Sequence, residues 1–168
     1  MASPHARSIF IIGLQNAHAM ERQAQQLLER QCERLTRYPQ VCARIGQHLE
    51  ETGRQLRRIE ECLGSMNQDR SRLKDAGMAL LGNVLAGSHA LAGDEIIKSS
   101  FADYAFEHYE IAAYKSLLVL AEQLGSPEAQ ASLRQSLDEE EKMAAWILDH
   151  LRDLTLEYLR REEIEMAR

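Results

Sequence analysis

The sequence is short of the residues that build turns and strands. It has 9 Gly and 3 Pro in 168 residues, 3 Val and 3 Thr, and only 5% aromatic residues. A β-sandwich, a barrel or an alternating α/β sheet would need more turn residues and more β-branched residues than these. Those folds are therefore excluded. The most frequent residues, 23 Leu, 21 Ala and 19 Glu, favour helices and indicate an all-α protein.

The chain also lacks the usual marks of an exported or membrane protein. Its three cysteines, Cys32, Cys42 and Cys62, are odd in number and show no CxxC spacing. We interpret them as buried, reduced thiols of a cytoplasmic protein. No signal-peptide pattern is present at the N-terminus, and Gly, Asn, Ser and His interrupt the uncharged stretch 76–93. Membrane insertion is not expected.

The charge distribution argues against binding to nucleic acid. The net charge is −6, and residues 1–75 carry 12 basic and 9 acidic side chains while residues 76–168 carry 8 and 17. The two parts are therefore +3 and −9. The run Arg54, Arg57 and Arg58 has no interleaved aromatic residues and is better explained by pairing with Glu60 and Glu61.

Helical periodicity and turn residues divide the chain into four long helices. The apolar pattern predicts helices over 7–36, 39–64, about 94–124 and from 126 onward, separated by a short, a long and a short connection. Two antiparallel hairpins joined by one long crossover form the ferritin-like version of the four-helix bundle. We therefore predict one domain over 1–168 with a partly helical crossover at about 65–93. Its apolar residues also predict a symmetric dimer: Met78, Leu80, Leu81, Val84 and Leu85.

One glutamate in each helix interrupts the apolar stripe at a matched depth. Glu21 lies 16.5 residues before the first short turn, centred at 37.5, and Glu51 lies 13.5 after it. Glu110 lies 16 before the second turn, centred at 126, and Glu140 lies 14 after it. Both pairs are related by an offset of 89 residues. Since antiparallel helices share the same rise per residue, the four carboxylates are predicted to meet at one level inside the bundle.

Histidines near these glutamates make the pattern resemble a carboxylate-bridged metal site. His18 precedes Glu21 by three residues, and His48 precedes Glu51 by three, so each pair lies on one helix face. The offset maps His18 onto Glu107. Oxygen ligands with some imidazole suit iron or manganese. The alternative for each residue taken alone is a solvated glutamate or a hydrogen-bonded boundary histidine.

Four motifs carry a family resemblance: AHAMERQA, RIGQHLEET, DEIIKSSFADYAFEHYEIAAY and LDEEEKMAAWIL, one in each helix. Over residues 17–151 the chain resembles the YciE/YciF-like ferritin-like proteins of bacteria, and the YciE-like branch most. The resemblance implies a ferritin-like bundle, a homodimer and a role in bacterial stress responses. It places metal ligands at Glu21, Glu51, Glu110 and Glu140, with His48 and Glu107 as helpers.

The sequence departs from the family's metal-binding pattern in helix four and in its Glu-x-x-His motifs. Arg54 and Met143 occupy the positions three residues after Glu51 and Glu140, and Ala144 stands where the YciF-like branch tends to carry another acidic residue. Two functions therefore stay open. One is a di-metal protein that reacts with oxygen or peroxide, with bridging Glu51 and Glu140. The other is a non-enzymatic dimeric scaffold with an incomplete site. Iron storage would require a cage for which the sequence gives no signal.

Overall fold

The computed structural model describes residues 4–66 and 95–168, and the described residues form four helices. These are α1 (Pro4–Arg34), α2 (Pro39–Ser65), α3 (Glu95–Gln123) and α4 (Pro127–Met166). The predicted boundaries agree within a few residues at the turns, and the prediction of an all-α protein is confirmed. None of the described helices is both long and apolar enough to cross a membrane.

The two short turns are encoded by proline and glycine. Pro39 and Pro127 occupy the first turns of α2 and α4, where the missing amide hydrogen has no helical partner to lose. Gly125 follows the end of α3 and has a φ of 61°, a left-handed conformation that glycine adopts without a Cβ clash. The amide of Ser126 then donates a 3.1 Å hydrogen bond to the carbonyl of Ala121.

Every pair of neighbouring helices is antiparallel. Helix α1 packs on α2 and α3, and α4 packs on α2 and α3, so α1 and α4 are diagonal, as are α2 and α3. The contacts give the directions, since residue numbers rise along one helix as they fall along its neighbour. The contacts are Arg7–Met66 and His18–Glu60 between α1 and α2, Glu21–Tyr114 and Gln31–Asp103 between α1 and α3, and Arg58–Ser136 and His48–Glu140 between α2 and α4.

The diagonal helices α2 and α3 therefore run in the same direction. Arg7, near the start of α1, bonds to the carbonyl of Met66, whereas Ile96 shares a buried cluster with Leu35 and Val41 at the α1–α2 turn. The end of α2 and the start of α3 consequently lie at opposite ends of the bundle, which is the ferritin-like connectivity. Apart from its first two residues, the predicted crossover, with its apolar residues, lies outside the described residues.

The core consists of two apolar clusters, one at each end of the bundle. The larger contains Phe10, Leu14, Ile59, Leu117 and Leu133, and the smaller contains Leu28, Leu35, Val41, Ile45 and Leu154. On α2, the polar residues His48, Thr52 and Gln55 lie between these clusters and are buried. A polar layer therefore crosses the middle of the bundle.

The three cysteines are free thiols, but only Cys62 is buried. Cys32 and Cys42 are partly exposed, so the prediction that all three are buried was wrong for these two. Both lie close to the α1–α2 turn and pack against the smaller apolar cluster without being enclosed by it.

Candidate metal centre

Four buried side chains from three helices converge in the polar layer. His48 of α2, Glu107 and Glu110 of α3, and Glu140 of α4 each offer one ligand atom, and these four atoms lie within 4.8 Å of one another. Glu107 is the most exposed of the four, at 3%. A group of three carboxylates and one imidazole in this environment has the composition of a cation site. We call it the four-donor group.

Helix geometry explains how each donor reaches this position. Glu107 and Glu110 are three residues apart and share one face of α3. Glu140 is in phase with two buried residues, Leu137 one turn before it and Leu133 two turns before it. His48 lies between Ile45 and Thr52 on the buried face of α2. All four are therefore on helix stripes that packing turns inward.

His48 connects the carboxylates from α3 and α4. Its Nε2 atom lies 3.3 Å from Glu107 Oε1 and 3.4 Å from Glu140 Oε2, and its Nδ1 atom lies 2.9 Å from Glu51 Oε2. Burial lowers the pKa of His48, but the hydrogen bond and charge of Glu107 and the hydrogen bond of Glu51 outweigh burial and raise the pKa to about 9. In the metal-free protein, His48 is therefore an imidazolium that offsets part of the carboxylate charge.

Burial disfavours the charged form of Glu110 and Glu140 most clearly. Burial raises the pKa of both well above the usual value, and the neighbouring carboxylates, including Glu21 and Glu107, raise it further. The side-chain amide of Gln55 on α2 donates a hydrogen bond to Glu140 Oε1. Glu140 is thus held from α2 by a neutral amide and by His48.

Glu21 lies beside the four-donor group but not in it. It is fully buried, and its Oε1 atom accepts a 2.5 Å hydrogen bond from the hydroxyl of Tyr114 on α3. Burial raises the pKa of Glu21, while the hydrogen bond from Tyr114 and the charge of His48 lower it. Burial outweighs both, and the resulting pKa is about 8. The carboxyl group is therefore largely protonated at neutral pH when no cation is near.

Glu51 occupies an outer position. Its carboxylate is about one-fifth exposed, contacts His48 Nδ1 and accepts a 3.2 Å hydrogen bond from Arg44 Nη1. The structure therefore places Glu110 and Glu140 together, as their matched depth predicts, but places Glu51 behind His48. The inner stripe of α2 is formed by His48, Thr52 and Gln55. Gln55, which sequence reasoning missed, could have been found as a polar residue seven positions after His48.

The other predicted histidine points elsewhere. His18 lies 3.3 Å from Glu60 of α2, so it does not correspond to Glu107 in the structure as the 89-residue offset suggested. His108 is exposed and packs edge-on against Tyr104. Tyr114 packs in the core and also bonds to Glu21.

Several buried carboxylate oxygens at the centre need a hydrogen-bond donor or a cation. Among the described residues, no hydrogen-bond partner is found for Glu21 Oε2, Glu107 Oε2 or Glu110 Oε1. Glu21 and the three carboxyl groups of the four-donor group lie near one imidazolium, which Glu51 also contacts. Buried polar oxygens normally have a donor or a cation within reach, and carboxylates this close must share protons or bind a cation. The residues present fit a divalent metal ion.

These features define a ferritin-like four-helix bundle with a buried carboxylate–histidine centre. The family model described as "Domain of unknown function (DUF892)" matches residues 5–160. The chain is also 32% identical over 140 residues to Protein YciF of Escherichia coli (strain K12), covering 79% of this chain and 81% of that protein. The chain therefore belongs to the YciE/YciF-like family, as its motifs predict; its place in the YciE-like branch stays a prediction.

Solved structures agree with this assignment. A protein from Xanthomonas campestris pv. campestris str. ATCC 33913 superposes with a TM-score of 0.81 at 33% identity, covering 94% of this chain and 99% of its own. The E. coli stress protein YciF superposes with a TM-score of 0.72 at 26% identity, covering 91% and 98%. YcfI from Rhodopseudomonas palustris, described as a putative structural protein, shares the fold at 23% identity, with a TM-score of 0.69 and coverage of 84% and 92%.

Proposed function

We propose that this chain is a stress-associated ferritin-like protein that binds a divalent cation, iron or manganese, in the four-donor group. The observation that carries the proposal is the convergence of four buried ligand atoms within 4.8 Å. The unpartnered oxygens of Glu107 and Glu110 support it, since a cation would satisfy both. The role in stress is proposed from the similarity to E. coli YciF, which is described as a stress protein.

His48, Glu107, Glu110 and Glu140 would hold the cation, and the surrounding residues would position them. His48 must lose a proton before it can bind a metal. Glu51 would then accept a hydrogen bond from the N–H that remains at His48 Nδ1, which would fix the orientation of the ring. Gln55 would orient Glu140. The bound metal would supply redox chemistry with oxygen or peroxide. The surrounding apolar clusters would limit the access of water.

A second cation is the finer prediction and depends on Glu21. Among the described residues, its Oε2 atom has no hydrogen-bond partner and belongs to a carboxyl group beside the four-donor group, whereas Glu51 lies on the outer side of His48. A di-metal centre would therefore draw on Glu21, Glu110 and Glu140, with Glu51 as an outer partner instead of a bridge. Stoichiometry separates the two cases, since one equivalent per chain fits the four-donor group alone.

A non-enzymatic scaffold is the second candidate, and one observation favours it. Gln55, a neutral amide, occupies the position on α2 that contacts Glu140, so α2 contributes no carboxylate to the four-donor group. A scaffold would fold fully without metal and act through its surface. Formation of a homodimer and a cytoplasmic location stay predictions under either function, and turnover of a small oxidant stays a prediction under the metal-binding function alone.

Metal analysis of protein purified without chelators tests the proposal. We expect about one to two equivalents of iron or manganese per chain, and the Glu140→Gln variant should lose affinity at least tenfold. Glu141→Gln is the matched control, because Glu141 is exposed and pairs with Lys115. A folded wild-type protein that takes up neither metal on titration would refute the cation site and leave the scaffold.

A further inference from the structure

Cys32 and Cys42 face each other across the α1–α2 hairpin. The thiol of Cys32 lies 3.4 Å from the carbonyl oxygen of Cys42, and the thiol of Cys42 lies 3.7 Å from the carbonyl oxygen of Cys32. Cys42 Sγ is also 3.1 Å from the carbonyl oxygen of Leu35. Each sulfur therefore points at the backbone of the other cysteine. The two residues lie at opposed positions on adjacent helices.

The two thiol groups are also close enough to affect each other. The pKa of Cys42 is raised first by burial and then by the charge and hydrogen bonding of Cys32. Both side chains are partly exposed, so a small oxidant can reach them. Only ten residues separate them, and the turn between α1 and α2 holds their helices together. The two thiols are therefore near each other across one short turn, a placement that favours a disulfide.

We propose that Cys32 and Cys42 are a modification site at which a peroxide forms an intramolecular disulfide. One thiol loses its proton and the thiolate attacks a peroxide oxygen. The O–O bond breaks, a sulfenic acid forms, and the departing hydroxide takes up the released proton to become water. The second thiol attacks the sulfenic sulfur, the S–S bond forms, and the hydroxyl leaves as water. In total, two thiols lose two electrons and two protons, and one hydrogen peroxide becomes two waters.

Cys62 is not part of this site. It is buried in the larger apolar cluster, whereas Cys32 and Cys42 pack against the smaller one, so Cys62 is shielded from a dissolved peroxide and lies apart from the pair. Burial also raises the pKa of its thiol to about 11. The three cysteines thus differ in burial, and only the tertiary structure reveals this difference. The disulfide does not depend on the metal centre, because neither cysteine belongs to the four-donor group.

Peptide mapping of the full-length protein tests the site. The reduced protein is treated with hydrogen peroxide, the remaining thiols are alkylated, and trypsin digestion is carried out without reductant. Trypsin cuts after Arg30, Arg34, Arg37 and Arg44, so we expect peptide 31–34 to be linked to peptide 38–44. Two of the three thiols should be lost to alkylation, and dithiothreitol should restore both.

Matched variants make the result specific. Cys32→Ser and Cys42→Ser should each abolish the linked peptide, whereas Cys62→Ser should form it at a rate within twofold of wild type. The same outcome is expected for metal-free and manganese-loaded protein, so failure of the metal site would not affect it. Three thiols that all stay alkylatable, links that join two chains, or sulfinic acid at Cys32 without a link would each overturn the proposal.

Discussion

The hydroxyl of Tyr114 on α3 donates a 2.5 Å hydrogen bond to Glu21 on α1, and both side chains are fully buried. This bond joins two neighbouring helices at the level of the candidate metal centre. It also satisfies one of the two Glu21 oxygens, while the other has no hydrogen-bond partner among the described residues. Glu21 is thereby held beside the four-donor group in a fixed orientation.

Removal of the Tyr114 hydroxyl should destabilise the metal-free protein. The Tyr114→Phe variant leaves Glu21 Oε1 buried without its donor, which we expect to lower the free energy of unfolding by about 1–3 kcal/mol. Urea denaturation measures the change. Tyr109→Phe is the control, because Tyr109 is exposed and its substitution should cost less than about 0.5 kcal/mol. Equal losses in the two variants would contradict the structural role of this bond.

The stability of the metal-free protein should fall as the pH rises from 5 to 9. Glu21 has a folded-state pKa of about 8 against an ordinary 4.5, and His48 has one of about 9 against 6.5. Both groups bind protons more tightly in the folded state, so the stability they contribute is lost between their ordinary and folded pKa values. The loss should amount to several kcal/mol, because a tenfold change in proton affinity corresponds to about 1.4 kcal/mol.

Thermal melts across this pH range measure the effect, and a variant identifies its source. Glu21→Gln removes one titrating group and should reduce the fall in Tm. Glu51 acts in the opposite sense at low pH: although burial opposes it, contacts with His48 and Arg44 lower its pKa, so its contribution is lost on acidification below about 4.5. A Tm that rises steadily from pH 5 to 9 would show that the buried carboxyl groups are not neutral in the folded protein.

Glu51 should tune metal affinity without being required for it. Glu51→Ala removes the acceptor at His48 Nδ1, and loss of such an outer partner typically weakens metal binding by about 10- to 100-fold. Isothermal titration with manganese compares it with Glu50→Ala, an exposed neighbour expected to bind like wild type. Complete loss of binding in Glu51→Ala would instead favour the direct, bridging ligand role that its matched depth suggested.

The ion pair between Arg58 and Glu139 should stabilise the α2–α4 contact. Arg58 donates hydrogen bonds of 2.7 and 3.1 Å to the two oxygens of Glu139, and both side chains are mostly buried. Arg58→Ala should lower the free energy of unfolding by about 1–2 kcal/mol, between the values for exposed and buried pairs. Arg57→Ala, at an exposed neighbour, should cost little. Chemical denaturation of both variants decides whether the pair contributes.

Two glycines should respond to alanine in opposite directions. Gly125 has a positive φ of 61° and open space around its missing Cβ, so Gly125→Ala should cost about 1 kcal/mol through backbone strain alone. Gly46 lies inside α2, and apart from the backbone of its own helix no atom of the described residues lies within 4 Å of the position that a Cβ would take, so Gly46→Ala should stabilise by about 0.5–1 kcal/mol. Equilibrium unfolding of the two variants tests the assignment, and equal signs would contradict it.

The helices and their connectivity were predictable from local sequence. Scarce glycine and proline, Pro39 and Pro127 at helix starts, and Gly125 after α3 mark the two short turns, and they determine the depth of each later residue because the helical rise is constant. Glu110 and Glu140 therefore meet as predicted. The motifs also identified the family, because they recur in the same order along nearly the whole chain.

Only the tertiary structure decided which side of α2 faces the centre. Depth is set by residue number, but a helix can rotate about its axis without changing depth, and its rotation depends on packing against α1 and α4 together. Burial of Ile45, Leu56 and Ile59 turns His48 and Gln55 inward and leaves Glu51 outside His48. The same packing leaves Cys32 and Cys42 partly exposed near a turn while Cys62 is buried in the core, a difference that residue type and spacing alone do not determine.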